Sequence, residues 1–568
     1  MKPPELYKLL ICVLLTQFGK TFEAIQCINM QFDRDEEGRS IHMVFTMNTL
    51  LNNSQFAKRL QEIQTKYGHD AVIVFSSKKK GTLYKHIKKL NDLKASCSNK
   101  KTCPRVVVMC SNKHRFDDGV DFLKWIDDED TATHIKRCFV YYDELHKYIN
   151  DTLRAQIKTI HDLKSIKEII GLTATPFNIW HTGIWSDIHI RYVSDFNEKN
   201  YCGYKDMEFC NIDFQFDMPA YTNFGSKIAN KITSRFIMTC IKLHPTILEP
   251  GSRVFIPGHV HKKNHFYIRK CMFDYNSDII VVLLNGKEKT LSYMNNDKMI
   301  SIDISLSTEE VCTTISQKIK EKAIEIKGFD VRPLVITGFL CVGMGQTLTH
   351  SELGSFTSAI IGHDDLNLDD IYQLFGRITG RMRFWDTYCK TTIYCPKSVM
   401  MRFKVAEDLA RNMALHHNNT VASKSDYLAP MKYMGEAGMV AMKRLPQDKP
   451  EKIVKNKVEL LSKEYEYGSS EFDKEEDAIQ FWKTIQGSMP KIITRFNEEG
   501  FMLCSASKGG GVLTYEKVRS LMTPEKGANM PCSPSEIMSG KTIIRRYVCY
   551  KNIKINIPTF IIRWIKRI

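Results

Sequence analysis

Short apolar runs, many of them β-branched or aromatic, recur along the first two thirds of the chain, each followed by a longer polar or amphipathic stretch. Leu9–Leu15, Ile41–Thr46, Ala71–Phe75, Arg105–Cys110, Phe139–Tyr142 and Glu168–Leu172 have the length of strands. Their apolar character is continuous rather than alternating, which predicts strands buried on both faces. Strand and helix in alternation imply a parallel sheet covered by helices. The alternation lapses around Phe214–Ile228 and resumes with Arg253–Pro257, Asp278–Leu284, Leu334–Phe339 and Phe356–His363. Past Pro396 the pattern changes. Met401–His417 reads as one amphipathic helix and Gln447–Lys463 as a linker or exposed helix; a compact region begins near Ala478.

Chemistry gathers where these runs end. The strand Phe139–Tyr142 stops at Asp143-Glu144-Leu145-His146, two adjacent carboxylates before a histidine. At the C-terminal end of a parallel strand such a pair suits a magnesium ion and an in-line water attack on a phosphate. A strand ending in acids is also a common helix cap, so the tetrapeptide alone decides nothing. After Leu9–Leu15 comes Thr16-Gln17-Phe18-Gly19-Lys20-Thr21, the ending of a phosphate-binding loop: helix-start N–H groups, a lysine for the β/γ-phosphates and a hydroxyl for magnesium. The first glycine of that motif is replaced by Leu14. The clusters Asn48 to Ser54 and Ser111 to Arg115 have the groups to contact a phosphate backbone, or to form plain turns. His259, His261 and His265 have poor zinc spacing and read as a basic loop.

Composition narrows the setting. A net charge of +17 favours a polyanion, nucleic acid before membrane. Seventeen cysteines without a C-x-x-C fit reduced thiols inside a cell rather than a disulfide framework. No apolar run has the length of a membrane span, and Leu9–Leu15 lacks a signal-peptide cleavage site.

Taken in order, Lys20-Thr21, Asp143-Glu144-Leu145-His146 and Thr173-Ala174-Thr175-Pro176 resemble motifs I, II and III of superfamily 2 (DExH-type) helicases and translocases. Arg253–Pro257 resembles the motif IV strand, and Gly343-Met344-Gly345-Gln346-Thr347-Leu348 resembles motif V. Gln373-Leu374-Phe375-Gly376-Arg377-Ile378-Thr379-Gly380-Arg381 matches Q-x-x-G-R-x-x-G-R, motif VI, at every defined position. The T-Q-x-G-K-T variant, with Cys110-Ser111-Asn112-Lys113, is similar to helicases of large DNA viruses. An adenine-reading Q motif has no room before the first strand.

The resemblance implies an α/β fold of two tandem RecA-like parallel-sheet lobes with a C-terminal α+β extension. Lobe 1 would span 1–213, lobe 2 214–400, a helical or linker region 401–477 and a basic C-terminal domain 478–568. It implies ATP and Mg2+ at the cleft: Gln17, Gly19, Lys20, Thr21 and Gly345 around the nucleotide, Thr21 and Asp143 on the metal, Glu144 on the water. Arg377 and Arg381 would neutralise the leaving γ-phosphate, Gln373 and His146 would link nucleotide to interface, and Thr173, Thr175, Gln346 and Thr347 would couple closure to the bound strand. The expected partner is nucleic acid, DNA over RNA, with a protein partner open for the C-terminal region and no membrane. A duplex-translocating motor and a binding scaffold with a decayed site are the alternatives. The setting is cytoplasmic or nuclear, or host cytoplasm or virion for a viral protein. The tail Lys541–Ile568, eight cations with Tyr547, Tyr550, Phe560 and Trp564 interleaved, is equally a strand clamp or the core of a small β-rich domain.

Overall fold

Eight parallel strands carry the first lobe: β1 (Leu9–Val13), β2 (Ser40–Thr46), β3 (Val72–Phe75), β4 (Lys85–Ile87), β5 (Val106–Cys110), β6 (Arg137–Asp143), β7 (Ile166–Thr173) and β8 (Asp187–Ile190). Their order is β8-β1-β7-β6-β2-β5-β3-β4. The computed structural model describes residues 9–35, 38–46, 50–76, 84–128, 135–147, 153–181, 187–190, 198–216, 227–259, 261–285, 288–304, 311–338, 348–417, 420–445, 465–484, 502–503, 543–550 and 558–567. They fall into two compact units, Met1–Pro446 and Gln447–Ile568. Every residue of β2, β3 and β5 is buried, as helices on both faces demand. Three of the covering helices matter below: α1 (Lys20–Asp33), α2 (Leu50–Arg59) and α3 (Phe177–His181).

The second lobe repeats the scheme. In chain order it has β9 (Tyr201–Cys202), β10 (Glu208–Asn211), α4 (Lys227–Leu243), β11 (Arg253–Phe255), α5 (Lys262–Tyr275), β12 (Ile280–Leu284), β13 (Lys289–Asn295) and β14 (Lys298–Asp303). There follow β15 (Leu334–Thr337), β16 (Ser358–Ile360), α6 (Leu368–Phe375), β17 (Gly380–Arg381), β18 (Thr392–Cys395) and α7 (Lys397–His416). The sheet runs β10-β18-β16-β11-β15-β12-β13-β14, parallel as far as β12. Its edge is an antiparallel hairpin that the apolar pattern did not suggest. The turn is Asn296-Asp297, both at positive φ (47° and 58°), which matches the right-handed twist of the strands it joins. The expected fold class, two tandem parallel-sheet lobes, is what the chain forms.

The expected lobe boundary at 400 falls inside α7, and the chain beyond that helix is built into both lobes. β19 (Thr420–Ser423) pairs antiparallel with β8, adding a ninth strand to the first sheet. Trp180 Nε1 of α3 donates to Ala422 O at 3.1 Å, and the Lys424 ammonium lies 4.8 Å from the Phe177 ring. Further on, Leu368 N donates to Arg444 O at 2.8 Å, at the start of α6.

In the second unit β20 (Tyr465–Phe472), β21 (Met502–Leu503), β22 (Ile543–Tyr550) and β23 (Pro558–Arg567) form a sheet in the order β20-β23-β22-β21. The described residues of this unit begin at Tyr465, in β20, ahead of the expected Ala478. Phe560 and Ile562 are buried with Ala478, and Phe472, Phe481 and Trp564 pack against them. Phe560 and Trp564 therefore serve a core. Ser507–Val512 lies outside the described residues.

α7 is tied to the approach of α6 by Arg402, whose side chain is wholly buried. Its Nη2 donates to Asp364 Oδ1 at 2.7 Å, Nε to Ser398 O at 3.2 Å, and Nη1 to Leu366 O. Removing one partner of a buried ion pair strands the other and costs about 3–5 kcal/mol. Arg402→Met should lower the urea midpoint accordingly, and Asp364→Asn in the same chain should return part of the loss. An unaltered midpoint in the single variant would show that the pair holds nothing.

Candidate active site

The first loop takes its shape from residues at positive φ. β1 continues into Leu14, buried, whose N–H donates to Thr173 O at 3.1 Å. Leu14 thus belongs to the core and not to the loop. The reversal is made by Gln17 (φ 56°) and Gly19 (φ 116°), and α1 starts at Lys20. Positive φ is free for glycine but strains Gln17, a cost of the size concentrated at ligand-binding turns. Lys20, only 8% exposed, lies with its Nζ 3.6 Å from Glu144 Oε1.

Glu144 is itself at φ 60°, so the chain turns left-handed as soon as β6 has delivered Asp143. Burial, then the neighbouring Glu144, push the Asp143 carboxyl up to about 7, against Lys20 and Arg59, which pull it down. A cation placed beside such a buried acid favours its ionised form and draws the pKa back down. His146, buried, lies with Nδ1 2.9 Å from Thr173 Oγ1, which also accepts from Thr175 N at 3.0 Å. Since Asp143 pairs with Leu172 and Val13 with Thr173, the first three motifs sit on the ends of three adjacent strands.

The second lobe meets this surface through α6 and the turn after it. Thr16 Oγ1 and Thr379 Oγ1 are 2.9 Å apart, and Thr16 N donates to Tyr372 Oη at 3.3 Å. The approach needs glycine: a Cβ on Gly376 would lie 2.8 Å from Thr16 Cβ, and one on Gly380 would lie 3.2 Å from Gln17 Cβ. Between the lobes is a cavity of about 410 Å3, lined by Gln17, Gly19, Lys20 and Thr21 on one side and Gln373, Gly376 and Arg377 on the other, with Asp143 and Glu144 at the strand ends. Arg377 is buried, which lowers its pKa to about 10 against the pull of Glu144, so it is charged at neutral pH. Gln373 Nε2 is buried and has no hydrogen-bond partner among the described residues.

Not every expected residue joins the cavity. The Arg381 guanidinium lies on the Phe18 ring at 4.5 Å, exposed and outside the cavity lining. Gly345, Gln346 and Thr347 lie outside the described residues. In each polar cluster offered for phosphate contacts, one residue has a structural task. Asn53 is buried, bonded to Thr46 Oγ1 and to Cys110 Sγ, while Asn112 caps the helix Lys113–Asp127 through Arg115 N. His259 and His265 are buried rather than on a basic loop: His259 Nε2 meets Asp365 Oδ2 at 2.9 Å, an acid that sequence distance had hidden. Motif reading also missed Arg59 and Glu62, which line the cavity from the end of α2 and the start of the next helix, Gln61–Tyr67. An arginine closing an amphipathic helix carries no local mark of such a role.

No protein-family model matches the chain. No curated protein matches it. Among solved structures it is similar to S. cerevisiae Dbp5 bound to RNA and ADP BeF3, at 10% identity and TM-score 0.37, covering 78% of this chain and 90% of that one. It is also similar to the DEAD-box helicase Mss116 bound to ssRNA and UDP-BeF, at 12% identity and TM-score 0.41, with 81% and 78% covered. The DUF1998 helicase MrfA bound to DNA is similar at 13% identity and TM-score 0.36, with 71% of this chain and 48% of that chain covered. These are distant likenesses, and the site is read from its own geometry.

Gly376→Ala should force α6 away from Thr16 and pull Arg377 out of register with Lys20. A misplacement of about 1 Å costs on the order of 10²-fold in rate. Turnover of a substrate held in this cavity should fall by about that factor while the melting temperature holds, and Thr16→Gly in the same chain should restore part of it. Wild-type turnover in Gly376→Ala would show that the close approach is not needed.

Proposed function

We propose that the chain is an ATP-driven nucleic-acid motor, a helicase or translocase of superfamily 2 acting on DNA. The observation that carries this reading is that Arg377 of the second lobe and Lys20 and Glu144 of the first line one cavity, brought together by two glycines. A triphosphate fits this lining: cations on both walls, N–H groups at the start of α1, and a buried amide of Gln373 without a partner among the described residues. Thr21 and Asp143 are the residues suited to hold magnesium, which when bound would neutralise charge on the β- and γ-phosphates.

Lys20 holds the terminal phosphates and, with Nζ 3.6 Å from Glu144 Oε1, aims that carboxylate. Glu144 orients the attacking water and draws on its proton as the water oxygen bonds to the γ-phosphorus and the bond to the β-phosphate oxygen breaks. Arg377 neutralises the oxygens that gain charge. Arg381, resting on Phe18 beside Gly19, is the second cation assigned to them. Gln373 reports nucleotide to the lobe interface, and His146 with Thr173 and Thr175 passes the state of Glu144 to the end of β7. A cycle of closure and release at this cleft moves the lobes along a strand, with Gln346 and Thr347 assigned to the strand side. The net charge of +17 supports a nucleic-acid track. DNA as that track, a reducing intracellular setting, a viral affiliation and a protein-docking role for the second unit complete the reading.

Glu144→Gln should bind ATP yet lose about 10²–10⁴-fold in turnover. Arg377→Ala should lose about 10³–10⁵-fold, with nucleotide affinity nearly kept. Loss of ATP binding in Glu144→Gln would sink its assignment to the water. ATPase rates with single-stranded DNA, duplex DNA and RNA decide the track, and equal rates with and without all three would refute a motor.

Acid should weaken metal-dependent nucleotide binding, because the metal must displace the proton that Asp143 holds below about 7. The same raised pKa makes the ligand-free protein less stable as pH rises through about 7, since ionising the buried carboxyl then opposes folding. Titration calorimetry at pH values bracketing that midpoint should show affinity rising with pH and proton release on the acid side. A flat profile would mean that Asp143 does not face the metal.

A further inference from the structure

Three thiols of the first lobe stand at the edge of the sheet that the motor chemistry leaves unused. The cavity is built on the C-terminal strand ends, where β6 delivers Asp143. At the other end of the same sheet, Cys138 enters β6 and Cys103 stands just ahead of β5. The helix Leu90–Cys97 ends on the third cysteine, with Ser98-Asn99-Lys100-Lys101-Thr102 between it and Cys103. Local bonds fold that loop back on the helix. Ser98 N donates to Lys94 O at 3.0 Å, Thr102 N to Asn99 O at 3.1 Å, and Thr102 Oγ1 to Ser96 O at 2.9 Å. Ser96 and Thr102 are therefore neighbours, and so are the residues that follow each, Cys97 and Cys103.

The two sulfurs differ in what surrounds them. Cys97 is wholly buried in the core of the lobe, while Cys103 is half-buried and packs against that core. The Cys97 thiol donates to the Cys103 sulfur. That bond, and with it the Arg105 guanidinium, holds the Cys103 thiol below its ordinary value against the burial that opposes them. Burial moves other thiols of the fold the opposite way, pushing Cys138 and Cys240 up to about 12. Lys100 and Lys101, both exposed, add positive charge on the loop. A partly exposed thiol among cations is the setting in which cysteine reacts as a nucleophile, and a second thiol in contact can resolve what it forms.

We propose that Cys97 and Cys103 form a redox modification site, a dithiol that a hydroperoxide converts to a disulfide. The Cys103 sulfur attacks the terminal peroxide oxygen. An S–O bond forms as the O–O bond breaks, and the other oxygen leaves with the thiol proton as water or an alcohol. The Cys97 sulfur then attacks the Cys103 sulfur. The S–S bond forms, the S–O bond breaks, and the hydroxyl leaves with the Cys97 proton as water. Two electrons pass from the thiols to the hydroperoxide, and exchange with a small reduced thiol returns the dithiol. Two sulfurs already in contact favour a bond between them over a shared metal ion, which would have to part them. The site asks nothing of ATP or nucleic acid and is independent of the motor reading.

The test exposes the full reduced chain to hydrogen peroxide, alkylates the remaining thiols with iodoacetamide in urea, and maps tryptic peptides by mass spectrometry. Lys100 and Lys101 let trypsin cut the loop, so the expected product is a pair of peptides joined through Cys97 and Cys103 and separated by dithiothreitol. In Cys97→Ser the partner thiol is gone, and Cys103 should accumulate as a sulfenic acid captured by dimedone. In Cys103→Ser, Cys97 should stay reduced, because the core encloses it. Alkylation of both cysteines after peroxide treatment of the wild-type chain overturns the proposal. So does a link from Cys103 to Cys138 in place of Cys97, or dimedone capture at Cys97 in Cys103→Ser. The wild-type map decides the matter even where a serine variant fails to fold.

Discussion

The spacing between Thr16 and Gly376 is the constraint on which the active cleft depends. With a side chain at 376 the two lobes could not close to the distance at which Thr16 and Thr379 share a hydrogen bond, since the nearest threonine carbon would be 2.8 Å away. That closeness buries Arg377 against Glu144 and sets the width of the cavity. The proposed chemistry between two bodies would demand positioning finer than a flexible linker supplies. Here it comes from the absence of atoms at two positions.

On the first lobe the opposing surface is fixed by strand neighbours. β7 lies between β1 and β6, so Thr173 stands beside Val13 while Leu172 stands beside Asp143. Residues far apart in the chain become one surface through register alone. Two non-glycine residues at positive φ, Gln17 and Glu144, then turn the chain sharply off their strands. Each such conformation costs about 1–3 kcal/mol and persists only where packed surroundings enforce it. The buried strands beneath provide that enforcement.

Most of this was legible in the order of residues alone. Apolar runs located the central strands, because strands buried on both faces must be apolar throughout. Lys20, Thr21, Asp143, Glu144, Gln373 and Arg377 were named from the resemblance to the helicase motifs, and all six line the cavity. What stayed hidden depends on partners far away in sequence. His259 looked like part of a basic loop because Asp365 is 106 residues off. Asn53 and Asn112 looked available to phosphate because buried bonds and helix caps have no sequence label. Arg381 carries the same motif as Arg377, yet its place is decided by the Phe18 ring. The hairpin β13–β14 was readable from Asn296-Asp297 but lay outside the repeating pattern that drew attention first.

β19 alters what kind of machine the two lobes can form. A chain that passes once from one body to another leaves them free to swivel about a single point. This chain crosses again, leaving α7 of the second lobe to add a strand to the first sheet beside β8, then returning to bond at the head of α6. Crossings at separate places define a line rather than a point, as two pins make a door swing where one would let it spin. Relative motion is thereby reduced towards rotation about that line, and large separations would have to break the β8–β19 ladder and the Trp180–Ala422 bond. In the proposed cycle each opening would then return the arginine wall to the same place, and each turn would begin from one geometry.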